Sequence, residues 1–184
     1  SQVATTAYEE ARTKIQTWVN AEHLEEIIFT KGTTDGINLI SNAWGRANLE
    51  KGDEVIITEM EHHSNIVPWQ MVCQEKGAVL RVIPINDSGE LLLEEYKKLL
   101  TPKTKMVALV HISNALGTIN PVKKVIQSAH EVGAKVLVDG AQQVAHAAPN
   151  MRDLDVDFYV FGLHKMFGPT GVGILYGKRK LLNA

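Results

Sequence analysis

Residues 103–142, KTKMVALVHISNALGTINPVKKVIQSAHEVGAKVLVDGAQ, indicate most clearly how the chain folds. Met106–Val110 is a continuous apolar run, and apolar residues at helical spacing follow from about Val122 to Val132. Gly133 is suited to ending that helix, and a second apolar run, Lys135–Asp139, comes directly after it. Continuous apolar strands separated by a helix are typical of neighbouring parallel strands that are buried on both faces.

The same alternation extends through the rest of the chain. Further helices are predicted at Gln2–Val19, from Thr33 to about Trp44, and at Ile66–Lys76 and Leu92–Leu100. Further strands are predicted at Ile27–Phe29, Val55–Ile57, Val79–Ile83, Phe158–Phe161 and Val172–Tyr176. We therefore predict one α/β domain over residues 1–184, with three layers (α/β/α) and a mainly parallel sheet. The last two strands are joined by a loop too short for a crossover helix, so they can form an antiparallel pair.

The composition excludes several classes of function. Charged residues make up 22% of the 184 residues and hydrophobic residues 45%, and the formal net charge is -2. Because Lys and Arg are scattered rather than clustered, we expect no nucleic-acid partner. No stretch has the apolar length of a membrane span, and the first residues do not resemble a signal peptide, so we expect a cytoplasmic protein without a membrane partner.

The single cysteine, Cys73, is not predicted to be a nucleophile or part of a metal site. It cannot form an internal disulfide, and it lies in a predicted amphipathic helix, where we expect a half-buried, apolar role. His62 and His63 are adjacent, and the chain has neither a second cysteine nor an HxxxH pair to complete a zinc site.

Candidate functional residues follow the strands, because ligands of open parallel sheets bind at the carboxyl ends of strands. Gly32–Gly36 opens a helix whose free N–H groups, together with the Thr34 hydroxyl, favour a phosphate, although helix capping alone would also explain these residues. After the second strand, His62 and His63 could stack on an aromatic ligand or transfer protons, with exposed loop histidines as the alternative.

Three later strand ends carry further candidates. Asn114 could bond a phenolic or carboxylate oxygen, or it could simply form a turn. Asp139 ends an apolar strand, where a buried charge is costly unless a cation meets it, and a protonated pyridine nitrogen would be such a cation. Lys165 follows an apolar strand among aromatic residues, where partial desolvation would favour a free amine able to attack a carbonyl. Asp139 as a cap and Lys165 as a surface charge are the alternatives.

From about Glu26 to Leu181 the chain resembles the large domain of the class V aminotransferase-like, fold type I pyridoxal-phosphate enzymes. The resemblance is strongest to the cysteine desulfurase and selenocysteine lyase group of the Suf and Csd type. It rests on the motifs GTTDGINLI, EMEHHSNIVPWQ, HISNALGT, KVLVDGAQ and DFYVFGLHKMFGPTGVGILY.

The resemblance implies pyridoxal 5'-phosphate as cofactor and assigns residues to its ring. Lys165 matches the lysine that holds the cofactor by a Schiff base, Asp139 the partner of the pyridine nitrogen, and Gln142 the donor to the phenolate oxygen. Ala141 matches the residue under one face of the ring.

The resemblance also assigns the other ring face and the phosphate. His62 matches the histidine stacked over the ring, which together with Lys165 would be catalytic. Asn114 matches the residue near the phenolate oxygen and the substrate carboxylate. The phosphate-binding positions are matched by Thr33, Thr34 and His164.

One position departs from the family pattern. Relatives commonly have Ser two or three residues before the lysine, whereas this chain has Gly162 and Leu163. We expect one hydroxyl contact to the phosphate to be absent, which would weaken cofactor retention by about one hydrogen bond to a charged group.

The implied reaction is removal of sulfur from L-cysteine, or of selenium from L-selenocysteine, to leave L-alanine. Such an enzyme would mobilise sulfur for Fe-S cluster assembly, pass it to a sulfur-acceptor protein and form a homodimer. The catalytic cysteine and the substrate-binding arginine belong to a later region in the family, so we expect the chain to be a domain that lacks the N-terminal segment and the small C-terminal domain of a longer enzyme. The alternatives are another class V enzyme, such as an aminotransferase, epimerase or kynureninase-like enzyme, and a non-catalytic binding or oligomerisation module.

Overall fold

A seven-stranded sheet lies at the centre of the computed structural model, which describes residues 2–183. Its strands, numbered along the chain, are β1 (Ile27–Thr30), β2 (Glu54–Thr58), β3 (Val79–Ile83), β4 (Thr104–Val110), β5 (Lys135–Asp139), β6 (Phe158–Gly162) and β7 (Gly173–Gly177). Their order across the sheet is β1-β7-β6-β5-β4-β2-β3. The predicted α/β fold is confirmed, and all seven predicted strands are found.

Helices connect most of these strands. They are α1 (Gln2–Trp18), α2 (Thr33–Ile40), α3 (Arg46–Asn48), α4 (Val67–Lys76), α5 (Leu93–Leu99), α6 (Val122–Glu131), α7 (Met151–Leu154) and α8 (Arg179–Leu182). The helix predicted to end near Trp44 continues further, because a π-helical segment, Ser41–Gly45, joins α2 to α3. The prediction of that end was therefore wrong by about one turn.

Strand directions determine which loops meet. The strands from β6 through β5, β4 and β2 to β3 are parallel. The predicted antiparallel pairing of the last two strands is confirmed, and β1 also pairs antiparallel with β7 at the edge of the sheet. Since β7 alone is reversed, the carboxyl end of β1 lies at the same edge of the sheet as those of the parallel strands.

Both faces of the sheet are covered by helices. One face packs against α1, α5, α6 and α7, and the other against α2 and α4. Residues of β4 alternate between the two clusters, with Val107 and Leu109 in the first and Met106 and Ala108 in the second. This burial on both faces explains the continuous apolar runs of β2, β4, β5 and β6, whereas the edge strand β3 is largely exposed.

Cys73 is more buried than the sequence predicted. Its side chain is 3% exposed and packs in the second cluster with Trp69 and Val72. Burial raises the pKa of its thiol to about 11, so the reactive thiolate is suppressed at neutral pH.

Residues 2–183 include no helix that is both long and apolar enough to cross a membrane. Within the same residues, no group of three or more His, Cys, Asp or Glu side chains is arranged to hold a metal ion.

His111 follows β4 and packs against the sheet rather than into solvent. Its Nδ1 lies 2.8 Å from the hydroxyl of Tyr159 on β6. Burial lowers the pKa of the His111 imidazole to about 4, which keeps the ring neutral in the folded protein.

We predict that His111 contributes to acid sensitivity. Between pH 7.5 and 4.5 the unfolded state binds a proton at this imidazole and the folded state largely does not, so the free energy of unfolding falls by roughly 2 to 3 kcal/mol from this group. Urea unfolding at both pH values should show this loss, and His111→Asn, which keeps a polar atom near the Tyr159 hydroxyl, should lack it. An equal loss in the two proteins would contradict the prediction.

Candidate active site

A cavity of about 700 Å³ opens at the edge of the sheet where the parallel strands end. It is lined by residues that follow β1, β2, β4, β5 and β6. All nine residues predicted for the site line this cavity: Thr33, Thr34, His62, Asn114, Asp139, Ala141, Gln142, His164 and Lys165. The structure therefore brings together residues that lie up to 132 positions apart in the chain, from Thr33 to Lys165.

The end of the cavity next to β1 has an unsatisfied hydroxyl. Helix α2 begins at Thr33, with Gly32 as its N-cap residue. The Oγ1 atom of Thr33 is buried and finds no hydrogen-bond partner within residues 2–183. A buried hydroxyl without a partner is costly, and a phosphate oxygen placed here would accept its hydrogen bond. This end of the cavity thus fits the phosphate of pyridoxal phosphate.

His62 lies on the wall of the cavity that follows β2. Its Nδ1 accepts a hydrogen bond from the Ser64 backbone N–H at 3.2 Å and lies 2.9 Å from Ser64 Oγ. Because a backbone N–H can only donate, the neutral ring carries its proton on Nε2. Of the two candidate histidines after β2, His62 is the one that lines the cavity.

Asp139, at the end of β5, provides a buried acid in the cavity. The residue is 3% exposed, and its Oδ1 accepts a hydrogen bond from the Ala141 backbone N–H at 2.9 Å. Burial raises the pKa of this carboxyl, while the Ala141 N–H, the positive charge of Lys165 and, in its protonated form, His62 act in the opposite direction. A cationic ring nitrogen would stabilise the carboxylate in the same way, so the residue fits the predicted pyridine partner.

The close packing behind Asp139 depends on Gly140. A Cβ atom at Gly140 would lie 2.0 Å from the ring of Tyr159. Any larger residue would displace Tyr159 or the backbone that presents the carboxylate.

Lys165 is held in a tight turn between β6 and β7. The backbone N–H groups of Met166 and Gly168 both donate to the Leu163 carbonyl at 2.9 Å, and the Leu163 N–H donates to the Val172 carbonyl at 3.0 Å. The Lys165 side chain is half-buried and lines the same cavity as Asp139. The Lys165 amine and the Asp139 carboxyl can therefore contact the same ligand.

Asn114 and Gln142 complete the side of the cavity between β4 and β5. The loop that carries Asn114 is stabilised by Ser113, whose Oγ accepts from the N–H groups of Ala115 and Leu116 at 3.3 and 3.1 Å. Both amide side chains can donate to a ring oxygen through their N–H groups, and their carbonyl oxygens can accept from a donor.

Sequence reasoning missed other residues of the cavity. Lys31, Asn38 and Thr170 also line it. A buried carboxyl, that of Glu61, lies directly before His62, and burial together with the nearby Asp139 raises its pKa to about 8. An acidic residue in a polar loop motif gives no sign of burial in the sequence.

Comparison with known proteins places the chain in a family. Residues 1–184 match the family model described as aminotransferase class-V. The chain belongs to the class V aminotransferase family. It is 54% identical over 181 residues to a cysteine desulfurase of Synechococcus elongatus, a match that covers 98% of the chain and 29% of that protein.

Solved structures of this class V family are similar throughout the chain. The crystal structure of the cysteine desulfurase CsdA from Escherichia coli superposes with a TM-score of 0.94 and 41% identity, covering 98% of this chain and 45% of that one. A C-DES lysine-to-alanine variant with glycine covalently linked to the PLP cofactor superposes with a TM-score of 0.88 and 27% identity, covering 99% of this chain and 48% of that one. This chain thus spans less than half the length of these relatives.

Gly162 is the residue at which the sequence predicts that a hydroxyl contact to the phosphate is absent. Its φ and ψ of -108° and 138° are accessible to any residue. A Cβ atom here would lie 3.0 Å from the His164 ring and 3.3 Å from Thr33 Oγ1. A side chain at 162 would therefore point between two of the predicted phosphate-binding residues.

We predict that Gly162→Ser tightens binding of pyridoxal phosphate about tenfold, because the added hydroxyl can form one hydrogen bond to a charged phosphate oxygen. Equilibrium titration followed by visible absorption would measure the dissociation constant. Gly162→Ala is the matched control, since it adds the Cβ atom near His164 without a hydroxyl. Equal affinities of the two variants would contradict the prediction.

Proposed function

We propose that this chain is the cofactor-binding domain of a pyridoxal-phosphate-dependent cysteine desulfurase, which removes sulfur from L-cysteine, or selenium from L-selenocysteine, and leaves L-alanine. The observation that carries the proposal is the presence of Lys165 and the buried Asp139 in one cavity with an unsatisfied Thr33 hydroxyl. These groups suit an aldehyde, a ring nitrogen and a phosphate, which pyridoxal phosphate combines in one molecule.

The choice of reaction is supported by the names of the relatives. Proteins that are 54% identical over 181 residues are named cysteine desulfurase, and so is the E. coli structure with a TM-score of 0.94. The chain spans less than half of the length of these relatives. We therefore propose, on the basis of this similarity, that the complete enzyme has the same activity.

When bound, pyridoxal phosphate would supply an electron sink for negative charge that develops at the α-carbon of the substrate. The Asp139 carboxylate would keep a proton on the ring nitrogen, since a buried anion beside that nitrogen favours its protonated form. Gln142 would donate a hydrogen bond to the ring oxygen from its amide, and Asn114 would bond the same oxygen or the substrate carboxylate. Thr33, Thr34 and His164 would bind the phosphate.

Lys165 has two proposed tasks. Its Nζ would hold the cofactor covalently in the resting enzyme, and after release it would take the proton from the α-carbon of the substrate and return it. His62, with its proton on Nε2, would cover one face of the ring and serve as a second acid or base.

The sulfur-accepting nucleophile must come from elsewhere. Among residues 2–183, neither cysteine nor arginine lines the cavity, and Cys73 is buried against the sheet. We propose that another part of the functional enzyme supplies a cysteine that takes the sulfur and an arginine that binds the substrate carboxylate.

We propose that the enzyme acts as a homodimer and passes its sulfur to an acceptor protein for Fe-S cluster assembly. A surface aromatic residue is consistent with dimerisation: Phe167, in the turn after Lys165, is 97% exposed. Sedimentation of the purified protein would measure the oligomeric state.

We predict that Lys165→Ala abolishes covalent attachment of the cofactor, because the amine that forms the bond is removed. Wild-type protein mixed with pyridoxal phosphate should show a visible absorption band, and borohydride should fix the adduct on the peptide containing Lys165. Lys31→Ala is the matched control, since Lys31 also lines the cavity. A band that survives Lys165→Ala would reject the assignment, and so would an adduct on Lys31.

A further inference from the structure

The Glu61 carboxyl joins three elements at the carboxyl edge of the sheet. Its Oε1 accepts hydrogen bonds from the Thr58 hydroxyl at 2.5 Å and from the Val110 backbone N–H at 2.8 Å. Its Oε2 accepts one from Asn65 Nδ2 at 2.7 Å. Glu61 thereby connects the end of β2, the end of β4 and the turn His63–Asn65 that precedes α4. The residue is 8% exposed, so water contributes little to these bonds.

The directions of these hydrogen bonds are fixed. The Trp69 indole N–H can only donate, and it donates to Asn65 Oδ1 at 3.1 Å. This bond orients the Asn65 amide so that its nitrogen faces Glu61. Since the Val110 backbone N–H can also only donate, both oxygens of Glu61 must act as acceptors.

A glutamine cannot replace this carboxyl without leaving a donor unpaired. Its amide nitrogen would meet either the Val110 N–H or the Asn65 amide nitrogen, and both are donors. If Glu61 is protonated, the proton has one place in the network, in the contact with the Thr58 hydroxyl, because that hydroxyl can accept as well as donate. The hydrogen-bond geometry is therefore compatible with both the charged and the protonated form of Glu61, but not with a glutamine at this position.

The same network holds the backbone at His62 on both sides. Glu61 directly precedes His62, and the Asn65 backbone N–H donates to the His62 carbonyl at 2.8 Å. Asn65 is fully buried, while the His62 ring is exposed toward the cavity. The ring itself is oriented by the Ser64 N–H.

We propose that Glu61 is the positioning residue that holds His62 at the cofactor cavity, through a one-way set of hydrogen bonds from Trp69, Asn65 and Val110. The importance of this position rests on the proposed function, in which His62 covers the cofactor ring. Glu61 itself does not line the cavity and would act through His62.

Exchanging the acid at position 61 and the amide at position 65 tests the direction of the hydrogen bonds in the network. In E61Q the glutamine leaves one donor unpaired. In the double variant E61Q/N65D, the amide nitrogen at 61 can donate to a carboxylate at 65, which can also accept from Trp69. The double variant restores every hydrogen bond and the net charge, so it is the matched control for the single change.

Two measurements report on His62 rather than on folding. The first is the NMR signal of the His62 ring in the cofactor-free protein, assigned with H62A, alongside the Trp69 indole N–H signal, assigned with W69F. The second is the dissociation constant for pyridoxal phosphate, measured by visible absorption well below the unfolding temperature. Thermal unfolding of each variant is recorded separately.

We expect E61Q to shift the His62 ring signal and to weaken cofactor binding about tenfold, as one unpaired buried donor displaces the loop. The double variant should return both values to within about twofold of wild type. If E61Q does not fold, a double variant that folds with a wild-type His62 signal supports the proposal equally.

Three results would overturn the inference. One is an E61Q protein with wild-type His62 signal and affinity, whatever its thermal stability. Another is a double variant with a His62 signal no closer to wild type than that of the single variant, and the third is a double variant that fails to fold. A wild-type protein that binds no pyridoxal phosphate would reject the proposed function instead, while the His62 signal of the cofactor-free protein would still test Glu61.

Discussion

An acid buried at the end of an apolar strand is the constraint on which the cavity depends. Asp139 is almost fully enclosed, and burial alone would favour its neutral form. A carboxylate in that position needs donors and cations around it, and the Ala141 N–H and the Lys165 amine are the nearby groups of these kinds. A cationic ligand in the cavity would therefore stabilise the charged form of Asp139.

The directions of the strands bring the loops that line the cavity to the same edge of the sheet. Parallel β2, β4, β5 and β6 end at one edge, and the single reversed strand, β7, lets β1 end there too. The hydroxyl of Thr33 and the acid of Asp139 therefore belong to one cavity, although β7 and β6 lie between β1 and β5. A flat ligand with a phosphate at one end and a basic ring nitrogen at the other offers one group to each of these side chains.

Much of this could be predicted from the sequence, for identifiable reasons. Apolar runs located the central strands because burial on both faces leaves no polar interruption. The rule that carboxyl ends share one edge indicated the loops of the site, while Ala141, Gln142 and His164 were assigned by the family resemblance. The roles of those residues in binding and catalysis stay predictions. The π-helical segment Ser41–Gly45 was missed because its residues are ordinary helix residues, and the burial of Cys73 was underestimated because neighbouring strands cannot be seen along one helix. Glu61 was missed for a similar reason, since one of its donors, Val110, is 49 residues away.

The rigid turn that carries Lys165 affects how this lysine could both hold the cofactor and transfer a proton in one catalytic cycle. Its peptide groups are tied to one another and to Val172, and the flanking strands pair directly through Gly162 and Gly173. The main chain at this point has little freedom, so the mobility needed for alternating duties must come from rotation about the four methylene groups of the side chain. Such an arm can leave its ligand and return to it within the lifetime of one substrate, because no loop has to open or reorder first.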